Sequence, residues 1–251
     1  MRSKYGILFL IPIWLFSLSA IEGANLASAE VVKMTRSKRR FTPPKPPRTL
    51  STPGQRSSIG SRQPENRAKA AQITALVPEF EKVVDFLPIP QVWVLSATPH
   101  PTFWLYLQQT RGINLEFQLE QSGKPIYQQS VALPPSGLVS ISLPKSFVGL
   151  QPNTLYRWSL RPADPISPEI RKRLEPLSGW VQLAPISPDL RTQLNASSPT
   201  QQIDLYAQNG IWLDSLSILA TLYQRDPNAH QASWNDLLGE IGLEDLTHSP
   251  L

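Results

Sequence analysis

Apolar and polar positions alternate with a period of two over several short stretches between residues 98 and 183. This pattern is typical of half-buried β-strands. The first clear stretch runs from Phe103 to Leu107, and similar stretches follow at 115–119, 139–143 and 156–160. The turn at 121–124 predicts a hairpin because it contains Ser-Gly between two such stretches. Short strands separated by regular turns predict a β-sandwich over residues 73–184.

Tyr156 follows the turn Pro152-Asn153 at the spacing of a tyrosine corner, in which the Tyr hydroxyl bonds to backbone just upstream. This corner indicates an immunoglobulin- or fibronectin-like sandwich.

Upstream of the alternating strands, Pro88 and Pro90 interrupt an apolar stretch at 80–95. We therefore expect irregular structure there, with a short strand near 92–94. The predicted core consists of inward-facing side chains: Phe103, Leu105, Phe117, Leu119, Val139, Ile141, Tyr156 and Trp158.

After residue 185 the apolar period becomes helical. Asn209-Gly210 ends one helix, and the next runs from Trp212 to Arg225 before Pro227. This order of elements, a helix, a tight turn, a second helix and a proline, resembles a single tetratricopeptide unit. We therefore predict a small helical hairpin over 185–251, packed on the sandwich. A peptide-binding groove in this hairpin is the alternative interpretation.

The first 29 residues have the layout of a secretory signal peptide: basic Arg2 and Lys4, an apolar run, then Ala27-Ser28-Ala29. The apolar run, Ile7 to Leu18, is too short to span a bilayer well, although an uncleaved anchor is the alternative. No further apolar run of about 18 residues follows. We expect a mature protein that is exported to the periplasm or the medium and lacks a transmembrane helix after cleavage.

Residues 30–72 form a basic, Pro-rich segment with 11 basic and 2 acidic side chains. Its low apolar content predicts a disordered, mobile linker. An electrostatic contact with an anionic envelope surface is the alternative to a plain spacer. Nucleic acid is not an expected partner after export.

The composition argues against common enzyme classes. The 26 Pro residues disfavour a helical or doubly wound enzyme, and the absence of Cys excludes disulfides and thiolate chemistry. His100, His230 and His248 do not share a metal-ligand spacing. Neither a phosphate loop nor a nucleophile elbow occurs. The sequence predicts a non-enzymatic protein without metal or cofactor, and a hydrolase with an unrecognised site stays the alternative.

Three aromatic residues are candidates for binding. Trp104 and Tyr106 lie on the strand face opposite Phe103, so either a helix covers them or they form an exposed platform for a sugar or a protein partner. Trp180, on the last predicted strand, is the third candidate.

Six phrases in a fixed order resemble a known family: 76–78, 101–106, 155–158, 179–181, 205–214 and 243–246. The family is the cyanobacterial one catalogued as domain of unknown function 928, and the resemblance covers about residues 73–251. It implies an exported cyanobacterial protein and brings no activity, ligand or catalytic residue with it.

These observations favour an exported, non-enzymatic interaction protein of the cell envelope, with an envelope protein or a polysaccharide as the expected partner. A polysaccharide- or peptidoglycan-binding module that uses Trp104, Tyr106 or Trp180 is the alternative.

Overall fold

The computed structural model describes residues 41–47, 50, 53–59, 72–84, 86–108, 110, 114–163 and 176–247. All of them lie within one compact unit, Lys38–Leu251. This part of the chain contains ten strands and four α-helices, which confirms the mainly β fold with added helices. The predicted signal peptide and most of the basic segment lie outside the described residues.

Two sheets form the β portion. The strands are β1 Ser57–Ile59, β2 Gln72–Ala75, β3 Glu79–Val84, β4 Leu87–Ser96, β5 Thr102–Gln108, β6 Asn114–Gln121, β7 Lys124–Ala132, β8 Gly137–Ser142, β9 Leu155–Pro162 and β10 Leu177–Leu183. The four-stranded sheet has the order β1-β2-β5-β8, and the six-stranded sheet has the order β3-β4-β10-β9-β6-β7. Strands β4 and β10 pair in parallel, and the other named strand pairs are antiparallel.

The two sheets share one apolar core. The ring of Phe103 on β5 lies 5.2 Å from that of Phe117 on β6 and 5.5 Å from that of Trp158 on β9, measured between centroids. The predicted core residues are buried, except that Val139 is partly buried. Alternation therefore identified the faces that meet.

The predicted turns are confirmed. Ser122 and Gly123 join β6 to β7 with φ of 51° and 75°, the positive values that a tight two-residue hairpin requires. The backbone N–H of Gln151 donates to the hydroxyl oxygen of Tyr156 at 3.1 Å, as expected for a tyrosine corner.

The expectation of irregular structure at 80–95 is wrong, because β3 and β4 form a regular hairpin there. Strand β4 pairs with β10 only from Trp93 onward, so residues 87–92 have one edge that no described strand of this sheet pairs. The carbonyl of Pro90 accepts from the N–H of Gly54 at 3.1 Å, which shows that its backbone polar groups point away from β3. Prolines are compatible with the strand because their missing N–H groups face that edge.

The expected linker at 30–72 also needs correction over its described residues. Strand β1 pairs with β2, and the ring of Phe41 lies 4.9 Å from that of Trp212. Leu50 is buried in a cluster with Trp93. The apolar side chains of Phe41 and Leu50 anchor this segment. The average composition of the segment, on which the expectation of a linker was based, does not reveal such single residues.

The helices are α1 Pro188–Ala196, α2 Pro199–Gln208, α3 Trp212–Arg225 and α4 Pro227–Gly239, followed by a 3₁₀ helix Glu244–Thr247. Ser187 and Ser198 cap α1 and α2, with proline in the first turn of each. Gly210 adopts a φ of 72° after α2, where the sequence predicted a stop. Side chains of α3 and α4 continue the core of the sheets. None of the described helices is long and apolar enough to cross a membrane.

Candidate functional site

Trp104 and Tyr106 do not form a surface platform. Each is 4% exposed, because α3 lies over this face of β5. The indole N–H of Trp104 donates to the hydroxyl of Ser217 on α3 at 3.1 Å. A helix therefore covers both rings, which is one of the two alternatives that the sequence left open, and neither ring faces solvent.

Trp180 is partly exposed on the outer face of the six-stranded sheet, which is the face opposite the shared core. Its neighbours in register are Trp93 on β4 and Arg157 on β9. Near Trp93 this face carries a second apolar cluster, to which α1 contributes Leu190 and Leu194. Of the three candidate residues, Trp180 is the one whose side chain is partly exposed.

Polar side chains lie on the same outer face as Trp180. Gln118 on β6 lies opposite Ser159 on β9, while Gln91 lies two residues before Trp93 on β4. Four of their atoms have no hydrogen-bond partner: Gln91 Oε1, Trp93 Nε1, Gln118 Oε1 and Ser159 Oγ. We call these four residues, together with Trp180, the outer polar face. The sequence signal was the alternation itself, which places Gln118 and Ser159 on the faces opposite Phe117 and Trp158.

A second surface feature is the tip of the β3–β4 hairpin. Val83, Phe86 and Leu87 are 69%, 98% and 66% exposed. Phe86 also has a φ of 65°, a left-handed conformation that non-glycine residues adopt at a cost of about 1 kcal/mol. The hairpin stands at the edge of its sheet, because β3 is the terminal strand. Sequence reasoning missed this feature because it expected irregular chain here.

Asp214 connects α3 to the end of β4. Its Oδ2 accepts hydrogen bonds from the backbone N–H of Ala97 at 2.7 Å and from the hydroxyl of Ser96 at 3.0 Å. Burial outweighs these bonds and raises the pKa of Asp214 to about 6. The pKa of Tyr206 is also raised, mainly by burial and then by the negative charge of Asp214.

A groove of about 410 Å³ lies between α1 and α2, and it is lined by Gln193, Ala196, Ser197, Gln201, Asp204, Leu205 and Gln208. Most of these residues have polar side chains. The imidazole Nε2 of His100 bonds to the Phe147 carbonyl at 2.8 Å, so this histidine fixes a loop. Within the described ranges, no three His, Asp or Glu residues are grouped closely enough to hold a metal ion.

Comparison with known proteins identifies a family. The family described as Domain of Unknown Function (DUF928) matches residues 57–251. No curated protein and no solved structure matches the sequence. Since the match covers most of the chain and agrees with the resemblance in its sequence phrases, the chain belongs to the DUF928 family.

Proposed function

We propose that this chain is an exported, non-enzymatic interaction protein of a cyanobacterial cell envelope, and that it docks on a partner protein through the tip of the β3–β4 hairpin. The exposure of Val83, Phe86 and Leu87 at one tip is the observation that carries the proposal. Neighbouring apolar side chains in water typically mark an interaction surface. Transfer of such side chains into a partner contributes about 1.5–3 kcal/mol each when burial is complete.

Charge around the tip indicates the chemistry of the partner. Glu79, Glu81 and Lys82 are exposed on β3, and the ammonium of Lys82 donates to the carbonyl of Leu50 at 3.1 Å, so these three side chains leave a net charge of −1. The hairpin therefore presents apolar side chains with acidic side chains behind them. A complementary partner has an apolar pocket with a basic rim.

The experiment compares capture from a solubilised envelope fraction by the mature chain and by Phe86→Ser/Leu87→Ser. Val148→Ser is the matched control, because Val148 is 79% exposed on a different loop. The proposal requires an envelope protein that the mature chain and the Val148→Ser control both capture and that the Phe86→Ser/Leu87→Ser variant does not capture. The captured partner, once purified, must then bind the hairpin variant at least about tenfold more weakly than it binds the mature chain, which corresponds to about 1.4 kcal/mol of binding free energy. Equal capture by all three chains would overturn the proposal.

We also assign finer features to the fold and the tail as proposals. Three observations support an immunoglobulin-like connectivity: the parallel β4–β10 pair, the antiparallel β9 and β6 beside it, and the hydrogen bond at Tyr156. The α2–α3 pair with its turn at Gly210 supports a tetratricopeptide-like unit. The 11 basic side chains of residues 30–72 support attraction to an anionic envelope surface.

A further inference from the structure

We infer that residues 50 and 53–56, which we call the strap, hold the β3–β4 hairpin in the orientation in which it docks, so that the partner binds tightly only while the strap is in place. The inference rests on the proposed docking function of the hairpin tip. Six residue pairs between positions 79 and 92 join β3 to β4. A two-stranded hairpin is marginally stable in water by itself, so a fixed orientation requires support from the rest of the chain.

The strap lies along an edge of the hairpin that lacks a strand. Among the described strands, β3 alone pairs with residues 87–92 of β4. On the other side of these residues, the backbone N–H of Gly54 donates to the carbonyl of Pro90 at 3.1 Å. The next residue, Gln55, forms an antiparallel bridge with Ser178 on β10, with backbone bonds of 2.8 and 2.9 Å. The strap therefore connects the hairpin to β10 where the direct pairing of β4 with β10 is absent.

A side-chain bond connects the strap to the second strand of the hairpin. Lys82 Nζ on β3 donates to the carbonyl of Leu50 at 3.1 Å. The side chain of Leu50 is 2% exposed and packs in a cluster with Trp93 and with Leu190 of α1. Because Leu50 is fixed in this cluster, the bond at Lys82 joins β3 to the body of the protein.

The environment of Gly54 shows how closely the strap and the hairpin are packed. A Cβ atom on Gly54 would stand 2.5 Å from the backbone nitrogen of Val92 and 2.8 Å from its Cβ. Both distances are shorter than non-bonded atoms allow, so any side chain at position 54 separates the strap from β4. Beyond this contact, Arg56 Nη1 donates to the carbonyl of Ile241 at 2.7 Å, which fixes the far end of the strap.

A fixed orientation matters for docking because three side chains act together. Val83, Phe86 and Leu87 enter one pocket only when the hairpin presents them at the correct angle. A hairpin that samples several orientations binds more weakly, in proportion to the fraction of time spent in the competent one. Loss of the strap contacts leaves the tip residues unchanged and lowers this fraction. Leu50 and Gly54 are thus positioning residues, which act through the hairpin.

The test measures amide hydrogen exchange of the free mature chain, which requires no partner, and then the affinity for the captured partner. In Gly54→Ala, we expect exchange of the amides in 79–92 to accelerate at least about tenfold, while the amides of β9 keep their rates. The affinity for the partner should fall at least about tenfold. Gly239→Ala is the matched control and should change neither, because the nearest side-chain atom is 3.8 Å from the added Cβ.

A second variant guards against a general effect of Gly54→Ala on folding. Lys82→Met removes only the bond to Leu50 and changes an exposed side chain. Exchange in 79–92 should accelerate in this variant too, by a smaller factor. Exchange is its only readout, since the substitution also changes the charge of the hairpin.

Three results would overturn the inference. Unchanged exchange of 79–92 in both variants would show that the strap does not hold the hairpin. Faster exchange in Gly54→Ala with unchanged affinity would show that docking does not depend on the orientation of the hairpin. Equal capture of the partner by Phe86→Ser/Leu87→Ser and the mature chain would remove the docking function itself, whereas the first two results leave that difference in capture intact.

Discussion

The indole nitrogen of Trp212 donates a hydrogen bond of 2.7 Å to the carbonyl oxygen of Leu76, and both residues are fully buried. Trp212 is the first residue of α3, and Leu76 directly follows β2. The bond joins the helices to the four-stranded sheet at a point that water does not reach.

Trp212→Phe removes the donor and leaves the Leu76 carbonyl without this partner. We expect the free energy of unfolding to fall by about 1–3 kcal/mol for the unpaired group, plus a loss from the smaller ring. Urea denaturation followed by circular dichroism measures it. Trp180→Phe, at a partly exposed position, is the control and should lose less. Equal losses in the two variants would contradict the role of the bond.

Asp214 should make stability depend on pH. Its pKa is about 6 in the folded chain against 3.8 for the free side chain, so the folded state holds the proton more tightly. Stability from this group is complete below about pH 4, falls as pH rises to about 6 and is constant above, a change of about 3 kcal/mol. Asp214→Asn should flatten this part of the curve in urea titrations between pH 4 and 7. Asp189→Asn, on the exposed side of α1, should retain the slope; an unchanged slope in Asp214→Asn would refute the assignment.

Gly179 lies on the inner side of β10, where a Cβ atom would stand 2.5 Å from Val92 Cγ1 and 2.9 Å from Trp158 Cζ2. Gly179→Ala should therefore destabilise the chain by about 1–3 kcal/mol through overpacking. At Gly239, the last residue of α4, the nearest side-chain atom is 3.8 Å away, and alanine there should be neutral or stabilising. Thermal melts of the two variants provide the comparison. A Gly179→Ala variant as stable as the parent would show that β10 is not pressed against Trp158.

Phe86→Gly should stabilise the chain although it deletes a large aromatic side chain. Phe86 is 98% exposed, so its loss removes little burial, and glycine adopts a φ of 65° without steric cost. We expect a gain of up to about 1 kcal/mol. Differential scanning calorimetry measures the change, with Val148→Gly as the control for removal of an exposed apolar side chain. A loss of stability would mean that the ring packs on the fold.

Much of the fold was predictable because its signals are local. Residues only a few positions away determine the local structure at Tyr156, at the Ser122-Gly123 turn and along Trp212–Arg225. The β3–β4 hairpin was missed because the tolerance of Pro90 depends on which edge its backbone faces, and pairing with a distant strand decides this. The anchors Phe41 and Leu50 were missed because each makes its contacts with residues far along the chain.

The binding surfaces were less predictable than the fold. Trp104 and Trp180 are equally conspicuous in the sequence, but only the placement of α3 shows that Trp104 is buried. Conversely, Gln118 has the pattern of a solvent-facing residue, and its burial on the outer face follows from tertiary structure alone. Alternation identifies which side chains share a face, but it does not show what covers that face.

The contact between Trp104 and Ser217 joins residues 113 positions apart. During synthesis from the N-terminus, β5 leaves the ribosome long before α3 exists, and until then Trp104 and Tyr106 have no cover. A nascent chain halted before residue 212 would present these rings to chaperones. The late helices thus set the time at which this face of β5 becomes covered.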